Sequence, residues 1–335
     1  MTSEALLPLV ASILGIVIGA LLNHFLSRRK YEAEIEKLKA EAEQVKTETE
    51  KNRLEIEKQV KAVPVGQIEP LPELGTAEEY YTRGKRLSIM ENYGQAIDDF
   101  SRAIKLDPRN AAYYIARGQS YFDMGAWSEC AEDETKAIEL EPKNARFYAL
   151  RGNTYRMAKI YNLAIADFSK GIELDPQRDD CYYGRAHCLY EEWKGNFERD
   201  INQAIEISPR GEYLFLRGKI NFEHGRVENR YLRWEKAEEK FREAIDDFSH
   251  SLASMDTNLV YWWMGRCYYE SNQYEQAIAN FSNAISAQLD DGSSYYWRGM
   301  CYKAQSKFNL KNKWNARKDF QKAAQLGYGQ AQNEL

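Results

Sequence analysis

A pattern about thirty-four residues long returns from Ala77 to the end of the chain, and nothing else in the sequence constrains the fold so tightly. It reads AEEYYTRGKRLSIMENYGQAIDDFSRAIKLDP up to Pro108, AAYYIARGQSYFDMGAWSECAEDETKAIELEP up to Pro142, and ARFYALRGNTYRMAKIYNLAIADFSKGIELDP up to Pro176. A unit of this length cannot bury its apolar face alone, so successive copies must stack. Small residues at Gly84 and Ala96 let two antiparallel helices cross closely, and Tyr80 and Phe100 fill the space between them. Pro108 stands where one unit stops and the next begins, because proline disfavours helix in the residue before it.

The order aromatic, Gly, aromatic, Ala, aromatic, Ala, Pro resembles the tetratricopeptide repeat. The first copy carries it as Tyr80, Gly84, Ala96, Phe100, Ala103 and Pro108; the third as Tyr148, Gly152, Tyr155, Ala164, Phe168, Gly171 and Pro176. Four less regular copies follow. Repeats are expected near 77–110, 111–144, 145–178, 179–210, 211–257, 258–291 and 292–328. The fourth is one residue short. The fifth carries about fourteen extra residues before Ala244 and Phe248, and the seventh about five before Ala316 and Phe320. The resemblance implies an all-α, right-handed superhelical solenoid of about seven helix-turn-helix repeats. Such a solenoid is held by contacts between neighbours and leaves a broad face free for recognition.

Aligning the copies brings out a second regularity. Arg83, Arg117, Arg151, Arg185, Arg217 and Arg298 share one position, and Asp99, Asp133, Asp167, Asp200, Asp247 and Asp319 share another on the second helix. The sixth copy changes both together, to Met264 and Asn280. A two-bond Arg–Asp pair joining the helices of each repeat is expected, with a structural role.

In the family the first helices line a concave groove that holds ligands. Carried over by position, the inward residues are Tyr81, Ile115, Ala149, Tyr183, Phe215, Trp262 and Tyr296. One turn on stand Lys85, Gln119, Asn153, His187, Lys219, Arg266 and Met300. Aromatics interleaved with donors suit a peptide bearing apolar anchors and some acidic groups. One branch of the family clamps the carboxylate of chaperone tails. Tyr81 replaces its first Lys and Ala116 its second Asn, which argues against that role here. The paired-cysteine metal knuckle of some membrane-anchored relatives is also missing. The two insertions, Arg226–Phe241 and Lys303–Lys318, lengthen helices or loops, or present a basic surface to anionic lipid or an acidic partner.

The N-terminal seventy-six residues read differently. After a tail at 1–4, residues 5–27 contain no Asp, Glu, Lys or Arg, and as a helix they reach roughly 33 Å. Arg28, Arg29 and Lys30 follow. The expectation is a single-pass membrane anchor with the N-terminus outside and the repeats in the cytoplasm. Ala11, Gly15, Gly19 and Asn23 share one face, where a second such helix could approach. Residues 28–62 read as a charged helical stalk, either a weak coiled coil or a single helix held by Glu–Lys pairs. Pro64, Pro70 and Pro72 mark a linker at 63–76.

Other chemistry is not in view. A formal net charge of −5 argues against duplex binding. The five cysteines form no metal or redox spacing, and Cys181, His187 and Cys188 match no common metal site. The sequence lacks a phosphate-binding loop, a nucleophile elbow and a zinc-protease helix. The expectation is therefore a non-enzymatic scaffold without cofactor or metal, binding a peptide or protein segment in its groove. The alternatives are a self-associating structural tether and a regulatory subunit of a membrane complex.

Overall fold

The computed structural model describes residues 73–287, 292–306 and 309–335. The expected anchor at 5–27, the stalk at 28–62 and most of the linker lie outside the described residues. Among the described residues no helix is long and apolar enough to cross a membrane. This corrects the placement of the chain as a single-pass membrane protein with cytoplasmic repeats. The described helices bury one face and keep another polar, and the longest has 20 residues of mixed character.

Among the described residues fourteen α-helices form seven antiparallel pairs and no strand occurs. The pairs are α1 (Ala77–Ile89) with α2 (Tyr93–Leu106), α3 (Ala111–Asp123) with α4 (Trp127–Leu140), and α5 (Ala145–Met157) with α6 (Tyr161–Leu174). They continue as α7 (Asp179–Glu191) with α8 (Phe197–Ile207), α9 (Gly211–Arg230) with α10 (Trp234–Ser251), and α11 (Thr257–Glu270) with α12 (Tyr274–Ser286). The last is α13 (Ser293–Ala304) with α14 (Leu310–Gln325), and a 3₁₀ turn at Gly329–Glu334 ends the chain.

Local chemistry starts and stops these helices. Thr76 and Glu79 form a reciprocal capping box on α1, while Asn110, Asn144 and Asn196 cap α3, α5 and α8. Each first helix up to α11 ends with one residue in the left-handed region: Glu91, Gly125, Lys159, Trp193, Leu232 or Asn272. The following amides bond back into the last turn, as Lys159 N–H does to Arg156 O at 3.0 Å and Ile160 N–H to Tyr155 O at 2.8 Å.

The core repeats as well. A Cβ placed on Gly84, Gly152, Gly218, Gly265 or Gly299 would lie only 2.7–2.9 Å from the ring of Phe100, Phe168, Phe248, Phe281 or Phe320. The phenylalanine ring is pressed against the bare glycine backbone, which is why the small residue stands there. In repeat 5 the insertion lengthens both helices and adds a second apposition of the same kind, Gly225 on Phe241. Repeat 2 is different: Glu134 occupies the place of Phe100 and Phe168, and it is only 5% exposed.

First helices touch their neighbours' first helices, as α5 does α7 and α9 does α11, while no comparable contact joins two second helices. Crowding on the first-helix side bends the stack and makes that side concave. All turns within a repeat therefore lie along one edge of the solenoid, and all turns between repeats along the other.

Candidate functional site

The aligned Arg and Asp positions meet in space. In each of six repeats Arg Nε and Nη2 donate to the two carboxylate oxygens. The distances are 2.6 and 2.7 Å for Arg83–Asp99, 2.8 and 2.7 Å for Arg117–Asp133, and 2.8 Å twice for Arg151–Asp167. They are 2.6 and 2.8 Å for Arg185–Asp200, 3.0 and 2.6 Å for Arg217–Asp247, and 2.7 and 2.8 Å for Arg298–Asp319. All six carboxylates are buried. Burial pushes the Asp247 carboxyl up, and Arg217 only partly offsets it. Hydrogen bonding to Asp167 raises the Arg151 guanidinium.

The third nitrogen does something that no single copy foretells. Nη1 of Arg117, Arg151, Arg185 and Arg298 donates to Ser101, Thr135, Ser169 and Ser282 at 2.9–3.1 Å, and that of Arg217 to Asn202 Oδ1 at 3.2 Å. These acceptors belong to the second helix of the preceding repeat. One arginine thus closes its own repeat and fastens it to its neighbour. At repeat 6 Met264 is buried instead, and the Asn280 amide donates to Gln276 O in its own helix.

The proposed groove residues sort into three groups. Toward the N-terminal end, Tyr81 packs on Phe100 and Tyr113, with Lys85 Nζ 5.2 Å from its ring centre. Ile115 packs on the Tyr114–Phe147 core, Ala149 is buried, and Asn153 Oδ1 accepts from Arg156 at 2.7 Å.

In the middle, Tyr183 stacks on Tyr213 with centroids 4.6 Å apart and meets His187 edge-on. His187 Nδ1 is buried without a hydrogen-bond partner. Burial, then the charges of Arg156 and Lys219, lowers the imidazole to about 4, so it is neutral at pH 7. Phe215 rests on Phe248, and Lys219 Nζ lies 5.3 Å from the Tyr190 ring and 5.9 Å from Trp263.

The third group is the densest. The Arg266 guanidinium lies 3.7 Å from the centre of the Trp297 ring and 5.4 Å from that of Trp262, a distance at which cation–π attraction is strong. Its Nη2 donates to Glu270 at 3.1 Å. Burial lowers its basicity, with Glu270 opposing. Arg266 Nε and Trp262 Nε1 are both buried and have no hydrogen-bond partner. Tyr296 does not join them: it is buried against Phe320, Trp297 and Tyr328. The aromatic beside Arg266 is Trp297, one residue on. Carrying one position per repeat through the array missed it, because in the seventh repeat that position turns into the terminal core.

No group of three or more His, Cys, Asp or Glu among the described residues is arranged to hold a metal. Cys181 and Cys188 are buried thiols that burial pushes up to about 12, so they are inert as nucleophiles.

Three family models match the chain, described as TPR repeat at residues 84–125, tetratricopeptide repeat at 145–178, and tetratricopeptide repeat at 264–333. No curated protein matches. Among solved structures, a tetratricopeptide repeat protein from Parabacteroides merdae is 18% identical. The match covers 75% of this chain and 93% of that one, with a TM-score of 0.52. The Arabidopsis OM64 TPR domain is 25% identical over 34% of this chain and 94% of its own, with a TM-score of 0.33. The second TPR domain of human RPAP3, in complex with HSP70 peptide SGPTIEEVD, is 25% identical over 33% of this chain and 93% of its own, with a TM-score of 0.32. At 18% identity the first of these matches speaks to fold alone. Three family-model matches and the stacked helix pairs support the tetratricopeptide-repeat family for this chain, whose described residues form an all-α tetratricopeptide-repeat solenoid.

Proposed function

We propose that the chain is a protein-interaction scaffold, without catalytic activity of its own, that receives a peptide or protein segment on its concave face. The observation that carries this reading is the Trp262–Arg266–Trp297 cluster. Two buried donors there, Trp262 Nε1 and Arg266 Nε, have no partner, and leaving such groups unpaired costs about 1–3 kcal/mol each. A peptide carbonyl or carboxylate that enters at the edge of the cluster, in line with these in-plane N–H bonds as the side chains part, satisfies them, and an apolar side chain beside it covers the ring faces. Tyr183, His187 and Lys219 extend the same face toward the middle of the array, with His187 as a neutral acceptor or donor. The two-bond Arg–Asp positions are assigned a structural role: they hold the first helices in register and leave the groove side chains free.

Peptide display selection on the wild-type chain and on Trp262→Ala tests the reading. Expected is a peptide set with an apolar anchor next to an acidic residue, retained by the wild type and lost by the variant at unchanged helix content. Identical peptide sets from both proteins would remove the groove from consideration.

A further inference from the structure

We propose that the helical tips of repeats 5 and 7 dock on an anionic lipid surface. Both insertions fall on turns within a repeat, so both project from the same edge of the solenoid. Beyond the shared glycines Gly218 and Gly265, α9 runs about two turns further than α11, roughly 10 Å. Ahead of Phe320 and Phe281, α14 begins about one turn earlier than α12. The short turn of repeat 6 is recessed between them, and it is polar: Ser271, Asn272 and Gln273.

The tips themselves are apolar and exposed. Tyr231, Leu232 and Trp234 are 60–68% exposed at the first, and Leu310 and Trp314 are 85% and 62% exposed at the second. Leu232 holds φ at 58°, a region where a bulky residue is uncommon and costs about 1 kcal/mol or more. The left-handed backbone is the common end of the first helices, as at Glu91 and Lys159; what sets this tip apart is that the residue taking it is an exposed leucine. The second tip carries a similar local cost. Lys311 and Lys313 stand in the first turn of α14, where the helix dipole disfavours cations.

Charge names the occupant. Residues 309–318 contain Lys311, Lys313, Arg317 and Lys318 and not one Asp or Glu, in a chain of net charge −5, while residues 226–241 at the other tip carry five basic residues against four Glu. Among the described residues neither Lys311 nor Lys313 has an acidic partner, and neither has Arg230 or Lys236 at the other tip. The carboxylates nearest the recess are already engaged, Glu270 by Arg226 and Arg266, and Glu275 by Gln305. A protein partner needs a contiguous patch of about 800 Å². Here the apolar points are small and separate: these two tips with the polar turn of repeat 6 between them, and further along the same edge Trp193 in repeat 4 and Ile89 and Met90 in repeat 1. A bilayer surface accepts separate points, the two tips each placing a Trp and a Leu among the headgroups while Lys and Arg meet the phosphates. This docking is peripheral, and it does not depend on what the groove binds.

The test uses the full chain with vesicles of brominated phosphatidylcholine, either alone or with about a third of the lipid replaced by phosphatidylserine, so that the quencher is present in both. Comparing variants of the full chain isolates the tips from anything else in it that meets lipid. Expected is a quenched fraction of tryptophan emission that requires phosphatidylserine and fades several-fold toward molar salt. It should vanish in the double variant Trp234→Ala/Trp314→Ala. Lys311→Glu/Lys313→Glu, which keeps both indoles, should lose at least half of it at unchanged helix content. Equal quenching in the wild type and the tryptophan variant overturns the proposal, as does equal quenching with and without phosphatidylserine. A shift of the same tryptophan emission by polyglutamate but not by vesicles would assign the tips to an acidic polypeptide instead, and also overturns it.

Discussion

Repeats 3 and 6 have the same glycine–phenylalanine core and differ in what surrounds it. Gly152 meets Phe168, and Gly265 meets Phe281, at nearly the same close distance. Repeat 3 adds the Arg151–Asp167 pair and fastens itself to repeat 2 through Thr135; repeat 6 has a buried methionine and an asparagine turned back on its own helix. The helix pair forms either way. The ring on glycine is therefore enough to build a repeat, and the arginine serves to couple repeats. The junction of repeats 5 and 6 lacks that arginine coupling; apolar contacts of Phe248, Val260 and Met264 with Trp263 hold it, joined near its outer edge by Arg226 beside Glu270 and by the Asn229 amide donating to Glu270 O.

The sharpest way to break this comparison is to remove the carboxylate from one repeat and its counterpart from the other. Asp167→Ala leaves the Arg151 guanidinium, only 18% exposed, without its partner. Breaking a buried pair typically costs 3–5 kcal/mol, and partial solvent access lowers the expectation here to about 2–4 kcal/mol. Asn280→Ala should stay within about 0.5 kcal/mol, because its amide touches only its own helix. Amide exchange read separately over α5–α6 and α11–α12 measures each, since a repeat array need not unfold in one step. Equal costs in the two repeats would mean that the arginine pair is dispensable.

Repeat 2 extends the contrast from the other side, because it keeps the clamp and loses the ring. Glu134 lies in the core with Oε2 unpartnered, beside Cys130 and Thr154, whose Sγ and Oγ1 are 3.3 Å apart. Burial raises its carboxyl from 4.5 to about 7, with Thr154 and Cys130 pulling the other way. A carboxyl raised in the fold favours the protonated form. Its contribution is thus fully present below pH 4.5 and is lost as pH rises through 7. Between pH 5 and 8 repeat 2 should lose up to about 3 kcal/mol of local stability. Glu134→Gln should flatten that profile, and repeat 3, with Phe168 in the same place, should show no such slope. A wild-type profile that matches Glu134→Gln would mean that the carboxylate is solvated when charged.

Much of this was legible in the sequence, and the remainder has physical reasons for having been hidden. The paired helices followed from Gly, Ala and aromatic spacing, because close helix crossing leaves few residue types possible at the contact. The simultaneous change to Met264 and Asn280 pointed to the clamp. The link from Arg151 to Thr135 was not visible, since Ser, Thr and Asn fill that acceptor position interchangeably and resemble ordinary surface choices. Glu134 was not singled out, because one polar residue at the position of Phe100 and Phe168 reads as an ordinary substitution until its burial is seen. In the groove, Trp297 was missed because position alone does not tell which of two adjacent aromatics turns into the core. The Tyr296 side chain does so because the terminal 3₁₀ turn brings Tyr328 against it.

The smallest expected effect bears on coupling most directly. Thr135→Ala removes the acceptor of Arg151 Nη1 and leaves the Arg151–Asp167 pair intact. Thr135 also donates to Ala131 O at 2.7 Å within its own helix, so the deleted hydroxyl serves both as local donor and as bridge. Water can reach the freed guanidinium edge, which limits the cost to about 0.5–1.5 kcal/mol. The matching change in repeat 5 is Ser249→Ala. Its hydroxyl makes the same local bond, to Ile245 O at 2.7 Å, but Met264 stands where the next arginine would be. Thr135→Ala also removes a methyl, so its hydroxyl is read against Thr135→Ser; the local hydroxyl bond is then common to that step and to Ser249→Ala and cancels in the difference. What remains is the bridge, so Thr135→Ala, measured from Thr135→Ser, should cost more than Ser249→Ala, and Thr135→Ser should retain the bridge. Equal costs for the two hydroxyl deletions would show that the arginines close their own repeats without joining neighbours, and stacking would then rest on apolar contact alone.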